Sequence, residues 1–160
     1  MNKIKIGIIG FGTVGSGVIK LLKKRKSYIK NKFNTEFIIA ALCDRSIHKK
    51  NTPSLGKTQL TDNIADILNN PEIDVVIELI GGMTPAKTTV IKALRRGKHV
   101  ITANKELIAN SGLELFAIAK ENNCHLYFES SVGAGIPIIK SITEGIVGNK
   151  FDSIYGIING

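Results

Sequence analysis

Residues 6–20 read IGIIGFGTVGSGVIK. The reading of this stretch decides the fold. Apolar residues 3–10 have the composition of a buried strand, and Val14, Val18, Leu21 and Leu22 then recur at helical spacing over 13–29. Between the two lies Gly10-x-Gly12-x-x-Gly15, in the strand–turn–helix context that a dinucleotide-binding turn requires. Gly10 suits the tight turn, Gly12 a close approach of backbone to a pyrophosphate, and Gly15 close packing of helix on strand. The helix start then offers free amides and the positive end of its dipole to phosphate. Phe11, Thr13 and Val14 line the same turn. The alternative reading is a glycine turn that holds no ligand.

Working outward, strand and helix patterns alternate along the whole chain. Strands are expected at 36–43, 74–80, 98–103, 124–130 and 151–160. Helices are expected at 61–70 (capped by Thr61 or Asp62), from Thr84 or Pro85 to Gly97, at 112–123 and at 137–148. Near-continuous apolar strands separated by helices imply a mainly parallel sheet covered on both faces. Right-handed crossovers make that a Rossmann-type, doubly wound α/β fold. One dinucleotide-binding domain over 1–160 is expected. A strand running up to Asn159-Gly160 without a closing helix reads as a chain cut before a further substrate and dimerisation domain.

The second strand ends in LCDRS, which places Asp44 at its tip. A carboxylate there accepts hydrogen bonds from the adenosine ribose of NAD, whereas the neighbouring Arg45 suits the 2′-phosphate of NADP. Both cofactors stay open, as does a plain turn with a solvent-facing arginine. Asp44 lies further from the glycines than the usual distance of about 20 residues. The long basic stretch 20–32 accounts for the delay.

Bulk properties narrow the class. The chain of 160 residues is 43% hydrophobic and 22% charged, which suits one folded domain. No apolar run nears the roughly 18 residues of a membrane span, and the N-terminus lacks a secretory pattern. Cys43 and Cys124 have no metal-ligand spacing and sit in apolar contexts, as buried free thiols of a cytoplasmic protein do. The net charge of +9 is concentrated in KLLKKRKSYIKNK, residues 20–32. Cations near a helix C-terminus complement its dipole, and no aromatic platform accompanies them. That run therefore reads as a solvated face, with no nucleic-acid and no membrane partner. His48, His99 and His125 show neither metal-ligand spacing nor a hydrolytic arrangement, and His99 reads as structural.

Four stretches taken in order carry a family resemblance: GFGTVG (10–15), ELIGG (78–82), GKHVITANKELIA (97–109) and FESSVGAGIPII (128–139). Together they resemble the N-terminal, NAD(P)-binding part of homoserine dehydrogenase, from Ile4 to Gly160. The resemblance implies interconversion of aspartate 4-semialdehyde and homoserine by hydride transfer with NAD or NADP. It also implies a cytoplasmic enzyme of threonine and methionine biosynthesis, a homodimer at full length. The family's catalytic domain has no counterpart in this chain, so the chain by itself is expected to be inactive. Lys105 matches the lysine beside nicotinamide and substrate, where a cation steers a carboxylate or stabilises a developing alkoxide. Thr102, Ala103, Asn104, Gly81 and Gly82 match positions near the cofactor. The loop ESSVGAGIP matches one that holds a monovalent cation, usually sodium, and points to Glu129 with the carbonyls of Val132, Ala134 and Ile136. Hard oxygen donors fit such an ion. Bottom-up, the same loop is a glycine-rich turn before a Pro-started helix. Other readings are the nucleotide domain of another NAD(P)-dependent oxidoreductase, a non-catalytic dinucleotide-sensing module, or a basic nucleic-acid binder. A sugar-type oxidoreductase shares GKHV but follows it with Glu-Lys-Pro, where this chain has Asn104-Lys105-Glu106.

Overall fold

The computed structural model of the chain describes residues 1–52 and 55–156. Six strands form one parallel sheet: β1 (Asn2–Ile9), β2 (Thr35–Cys43), β3 (Gln59–Thr61), β4 (Val75–Glu78), β5 (His99–Thr102) and β6 (Leu126–Tyr127). Their spatial order is β3-β2-β1-β4-β5-β6, so the strand order reverses direction between β1 and β4. In such a sheet ligands bind at that switch point, outside the carboxyl ends of the strands.

The helices are α1 (Thr13–Phe33), α2 (Ile64–Leu68), α3 (Ala86–Arg95), α4 (Lys105–Glu121) and the short α5 (Ile138–Lys140), which runs into a π-turn at Ser141–Gly145. Alternate strand residues feed two cores, as the two-residue period of a strand requires. Ile6, Ile8, Leu42 and Ile77 pack with Ile19 of α1 on one face. Ile9, Ala41, Val76, Val100 and Leu126 pack with α2, α3 and α4 on the other. Gly7 is needed where α2 crosses, because a Cβ there would lie 2.5 Å from Ile67. On the first face the cover stops at α1. Ile101 and Tyr127 are exposed there, and His99, His125 and Tyr127 stack along the sheet. His99 is structural: its Nδ1 accepts the His125 amide at 3.0 Å.

Several boundaries differ from expectation for local reasons. The helix expected at 61–70 is α2, and its cap is Asn63, whose side chain accepts the Ala65 amide. Thr61 ends the unexpected strand β3 and donates its hydroxyl to Asp66. The helix expected to start at Gly112 starts at Lys105, because Asn104 caps it by accepting the Leu107 amide at 3.1 Å. Gly112, a poor helix former, is buried inside that helix, where a Cβ would meet only Ile108 and Phe116 of α4 itself. The strand expected at 124–130 shortens to β6, followed by a 3-10 turn at Glu129–Ser131. The helix expected at 137–148 reduces to α5 and its π-turn. Of the strand expected at 151–160, residues 151–156 belong to no strand and 157–160 lie outside the described residues. Among the described residues no helix is long and apolar enough to cross a membrane.

Candidate dinucleotide site at the sheet switch point

The glycine turn sits where β1 passes into α1. The Gly10 amide donates to the Cys43 carbonyl at 2.8 Å, and the Leu79 amide donates to the Ile9 carbonyl at 2.8 Å, so the exit of β1 is pinned between those of β2 and β4. Gly10 has φ +108, and a Cβ on it would lie 2.6 Å from the Leu79 oxygen. A Cβ on Gly15 would lie 2.1 Å from the Gly10 oxygen. Both glycines are thus required by the protein itself. Gly12 is different: a Cβ there meets nothing within 4 Å. Its lack of a side chain keeps open space in front of α1.

That space faces unpaired donors. The first helical bond of α1 runs from the Ser16 amide to the Gly12 carbonyl, so the amides of Thr13, Val14 and Gly15 precede it. No side chain caps α1, and its first turn holds no acidic residue. The positive end of a 21-residue helix is left for an anion. Thr13 and Val14 are exposed at this end, whereas the ring of Phe11 is buried in the core against α1. Phe11 therefore faces the site only through its backbone.

Asp44 lies at the tip of β2 as expected, but its carboxylate is already fully engaged. Oδ2 accepts the Phe11 amide at 2.8 Å and the Lys50 ammonium at 2.7 Å. Oδ1 accepts the Ser46 amide and hydroxyl, each at 2.9 Å. Burial pushes the Asp44 carboxyl up, yet the hydrogen bonds from Lys50, Ser46 and Phe11 outweigh it and hold the group well below the usual carboxylate range. A carboxyl depressed in the folded state stabilises the fold above its unfolded pKa of about 3.9, and that contribution is lost as pH falls through the folded value. Asp44→Asn is therefore expected to cost about 1–3 kcal/mol at pH 7. Urea titrations should show the gap to wild type closing progressively below about pH 4. A gap that stays constant down to pH 2 would contradict this.

Lys50 escaped the sequence reading because nothing in HKK distinguishes one lysine from the next. It folds back over the turn, donating to the Phe11 carbonyl at 2.8 Å as well as to Asp44. Arg45 is exposed beside it. Gly10, Gly12, Asp44, Arg45, Ser46 and Lys50 line one cavity of about 330 Å³, continued by Asp62, Ile64, Ile80 and Pro85. A second cavity, of about 360 Å³, lies away from the strand C-termini, among Leu22, Lys26, Phe37 and Thr58.

Gly81, Gly82, Ala103, Asn104 and Lys105 do not line the first cavity; they gather next to it, past the ends of β4 and β5. Gly81 and Gly82 have φ of +77 and +69, a conformation that favours glycine. The Asn104 side chain donates to the Gly82 carbonyl at 2.6 Å while capping α4, which locks the two turns together. Beneath them lies Glu78, fully buried, with Oε1 accepting the Ile80 amide and Oε2 the Thr102 hydroxyl, both at 2.7 Å. Thr102 Oγ1 in turn accepts the Asn104 amide at 3.0 Å. Glu78 was legible only as part of ELIGG. Glu78→Ala would strand an amide and a hydroxyl in the core, at an expected cost of about 2–4 kcal/mol. Denaturant unfolding should place Glu78→Gln, which keeps the shape, between that variant and wild type; equal stability of all three would contradict the role. Lys105 is the first residue of α4, exposed, with no ion pair among the described residues.

The loop expected to hold a cation meets this edge through the Ser131 hydroxyl, which donates to the Thr102 carbonyl at 3.0 Å. The Glu129 carboxylate accepts the amides of Ile139 and Lys140, both at 2.9 Å, and its carbonyl accepts the Val132 amide at 3.2 Å. Val132, Ala134 and Ile136 contribute carbonyls from the same turn, in which Ala134 takes φ +51. Among the described residues no three His, Cys, Asp or Glu side chains converge on a metal position.

The sequence model of the homoserine dehydrogenase NAD-binding domain matches residues 10–129. The chain belongs to that family. It is 41% identical over its whole length to homoserine dehydrogenase of Bacillus subtilis, covering 37% of that protein. It is 44% identical to the Pseudomonas aeruginosa enzyme, covering 36% of it. The chain thus spans little over a third of these relatives. Among solved structures, the homoserine dehydrogenase of Thiobacillus denitrificans superposes with a TM-score of 0.86 at 39% identity, over 92% of this chain and 34% of that one. A hyperthermophilic archaeal homoserine dehydrogenase in complex with NADPH gives 0.75 at 27% identity, over 91% of this chain and 50% of that one. The fold is that of the homoserine dehydrogenase NAD-binding domain, as the sequence motifs led one to expect.

Proposed function

We propose that the protein carrying this chain interconverts L-aspartate 4-semialdehyde and L-homoserine, and that this chain supplies the half that binds and orients the dinucleotide. The observation that carries the reading is the uncapped N-terminus of α1 behind an open Gly12, with Lys105 on the same sheet edge. The amides of Thr13, Val14 and Gly15 hold the pyrophosphate, and Arg45 and Lys50 flank the adenosine ribose, with Asp44 fixing Lys50 and the glycine turn in place beneath it. Gly81, Gly82, Ala103 and Asn104 shape the wall against the nicotinamide half. When bound, the nicotinamide gives or takes the hydride. Lys105 stabilises negative charge on the substrate oxygen as it moves between carbonyl and hydroxyl.

The carbonyls of Glu129, Val132, Ala134 and Ile136 form an oxygen-only donor set that suits sodium, and each carbonyl has a second lone pair to offer. Such an ion would tie the loop to the edge that carries Thr102. The full-length protein is read as a cytoplasmic homodimer; two buried free cysteines support a reducing compartment.

A second reading concerns which nucleotide is preferred. Asp44 has no lone pair to spare for a ribose 2′-hydroxyl, while Arg45 is exposed beside it and Lys50, with two of its three N–H groups donated to Asp44 and Phe11, keeps one for a phosphate. This favours NADP. The test of the main reading is homoserine-dependent reduction of NAD or NADP by the full-length protein, followed at 340 nm. Turnover with homoserine supports it. Saturable dinucleotide binding without turnover would leave a sensing module.

A further inference from the structure

We infer that Asp62 reads the adenine base, accepting a hydrogen bond from its exocyclic 6-amino group. This rests on the dinucleotide reading above and adds the residue that selects the base. The strands set out the site in order. The glycine turn follows β1, Asp44 follows β2, and Asp62 follows β3. The Asp44 amide donates to the Thr61 carbonyl at 3.1 Å, so Asp62 begins one strand further from the pyrophosphate than Asp44 does. A nucleotide laid across this edge meets phosphate, ribose and base in that sequence.

The chemistry at this position fits a base. Asp62 lines the same cavity as Gly12 and Asp44, together with apolar Ile64, Ile80 and Pro85. Such surfaces take a flat aromatic ring, and one polar group fixes its orientation. The neighbouring carboxylates are committed: Asp44 accepts four hydrogen bonds, and Asp66 is bonded to Thr61 and Asn63. The Asp62 carboxylate has no hydrogen-bond or ion-pair partner among the described residues, and it is exposed to the cavity mouth. An ionised carboxylate only accepts, so it selects a donor on the ligand. Adenine presents such a donor at position 6. Hypoxanthine presents an oxygen there, which a carboxylate repels.

The test uses the chain with NADH or NADPH, whichever it holds more tightly, and the hypoxanthine analogue of the same dinucleotide. Binding is followed by nicotinamide fluorescence. Wild type is expected to hold the adenine form about tenfold more tightly. In Asp62→Asn, whose amide offers both a donor and an acceptor, that ratio is expected to fall to about twofold or less. A wild-type ratio near one, or a tenfold ratio that persists in Asp62→Asn, would overturn the role of Asp62 while leaving dinucleotide binding in place. Failure of wild type to hold either form would overturn both. Asp62 is exposed, so the variant is expected to keep the wild-type melting temperature. The wild-type ratio needs no variant at all.

Discussion

Gly12→Val is expected to leave the chain folded and to abolish dinucleotide binding. The three glycines of the opening turn look equivalent in sequence, but the structure separates them. At Gly15 even a methyl group would collide with the Gly10 carbonyl at 2.1 Å, and Gly10 is held at φ +108. Substitution at either position attacks the fold. Gly12 has φ −91 and ψ −155, which any residue adopts, and open space where its Cβ would be. A valine there costs the fold about 1 kcal/mol at most, the price of a poorer helix cap. It fills the approach to the amides of Thr13, Val14 and Gly15 that a pyrophosphate needs. Thermal melting and a fluorescence titration on the same sample separate the two effects. A folded Gly12→Val chain with wild-type affinity would show that the turn is structural only.

Lys105→Ala in the full-length protein is expected to lower turnover about a hundredfold or more while changing dinucleotide affinity little. Lys105 opens α4, where the positive end of the helix dipole disfavours a cation. No carboxylate among the described residues compensates it. Neither an ion pair nor the helix dipole gives the fold a gain from a lysine at this place. Its backbone is fixed by Asn104, which caps α4 and grips Gly82 at 2.6 Å. Steady-state kinetics with cofactor and semialdehyde varied separately give the answer. A fall in kcat marks a contact made in the transition state, whereas a raised KM with kcat intact marks ground-state binding alone. Wild-type values for both would make Lys105 an ordinary surface lysine.

The fold was legible because its signals are local and repeated. Apolar strands, a glycine turn at the first junction and helices in alternation lead to a parallel, doubly wound sheet without any long-range information. What escaped was of two kinds. Short elements such as β3 carry too few residues to show a period, and the cap at Asn104 was masked by the buried Gly112 further along α4. The site followed the same division. The positions of Gly10, Gly12, Gly15 and Asp44 were legible because they belong to a backbone turn and to a strand end, but the partners that occupy the Asp44 carboxylate were not. Lys50 reaches the site through a long side chain that folds back 39 residues away from Phe11 in sequence, and Glu78 acts from inside the core. Neither leaves a periodic or spacing signal. Phe11 shows the reverse: its position belongs to the turn, while its ring belongs to the core.

The central claim is that the glycine turn and the tip of β2 hold a dinucleotide, and amide chemical shifts of the chain, followed by NMR during titration with NADH and NADPH, test it most directly. The account predicts saturable shifts centred on residues 10–15 and 44–46, extending to Asp62, with one affinity describing them all. Shifts that never saturate, or that centre instead on the open face of β5 and β6 at His99 and Tyr127, would contradict it.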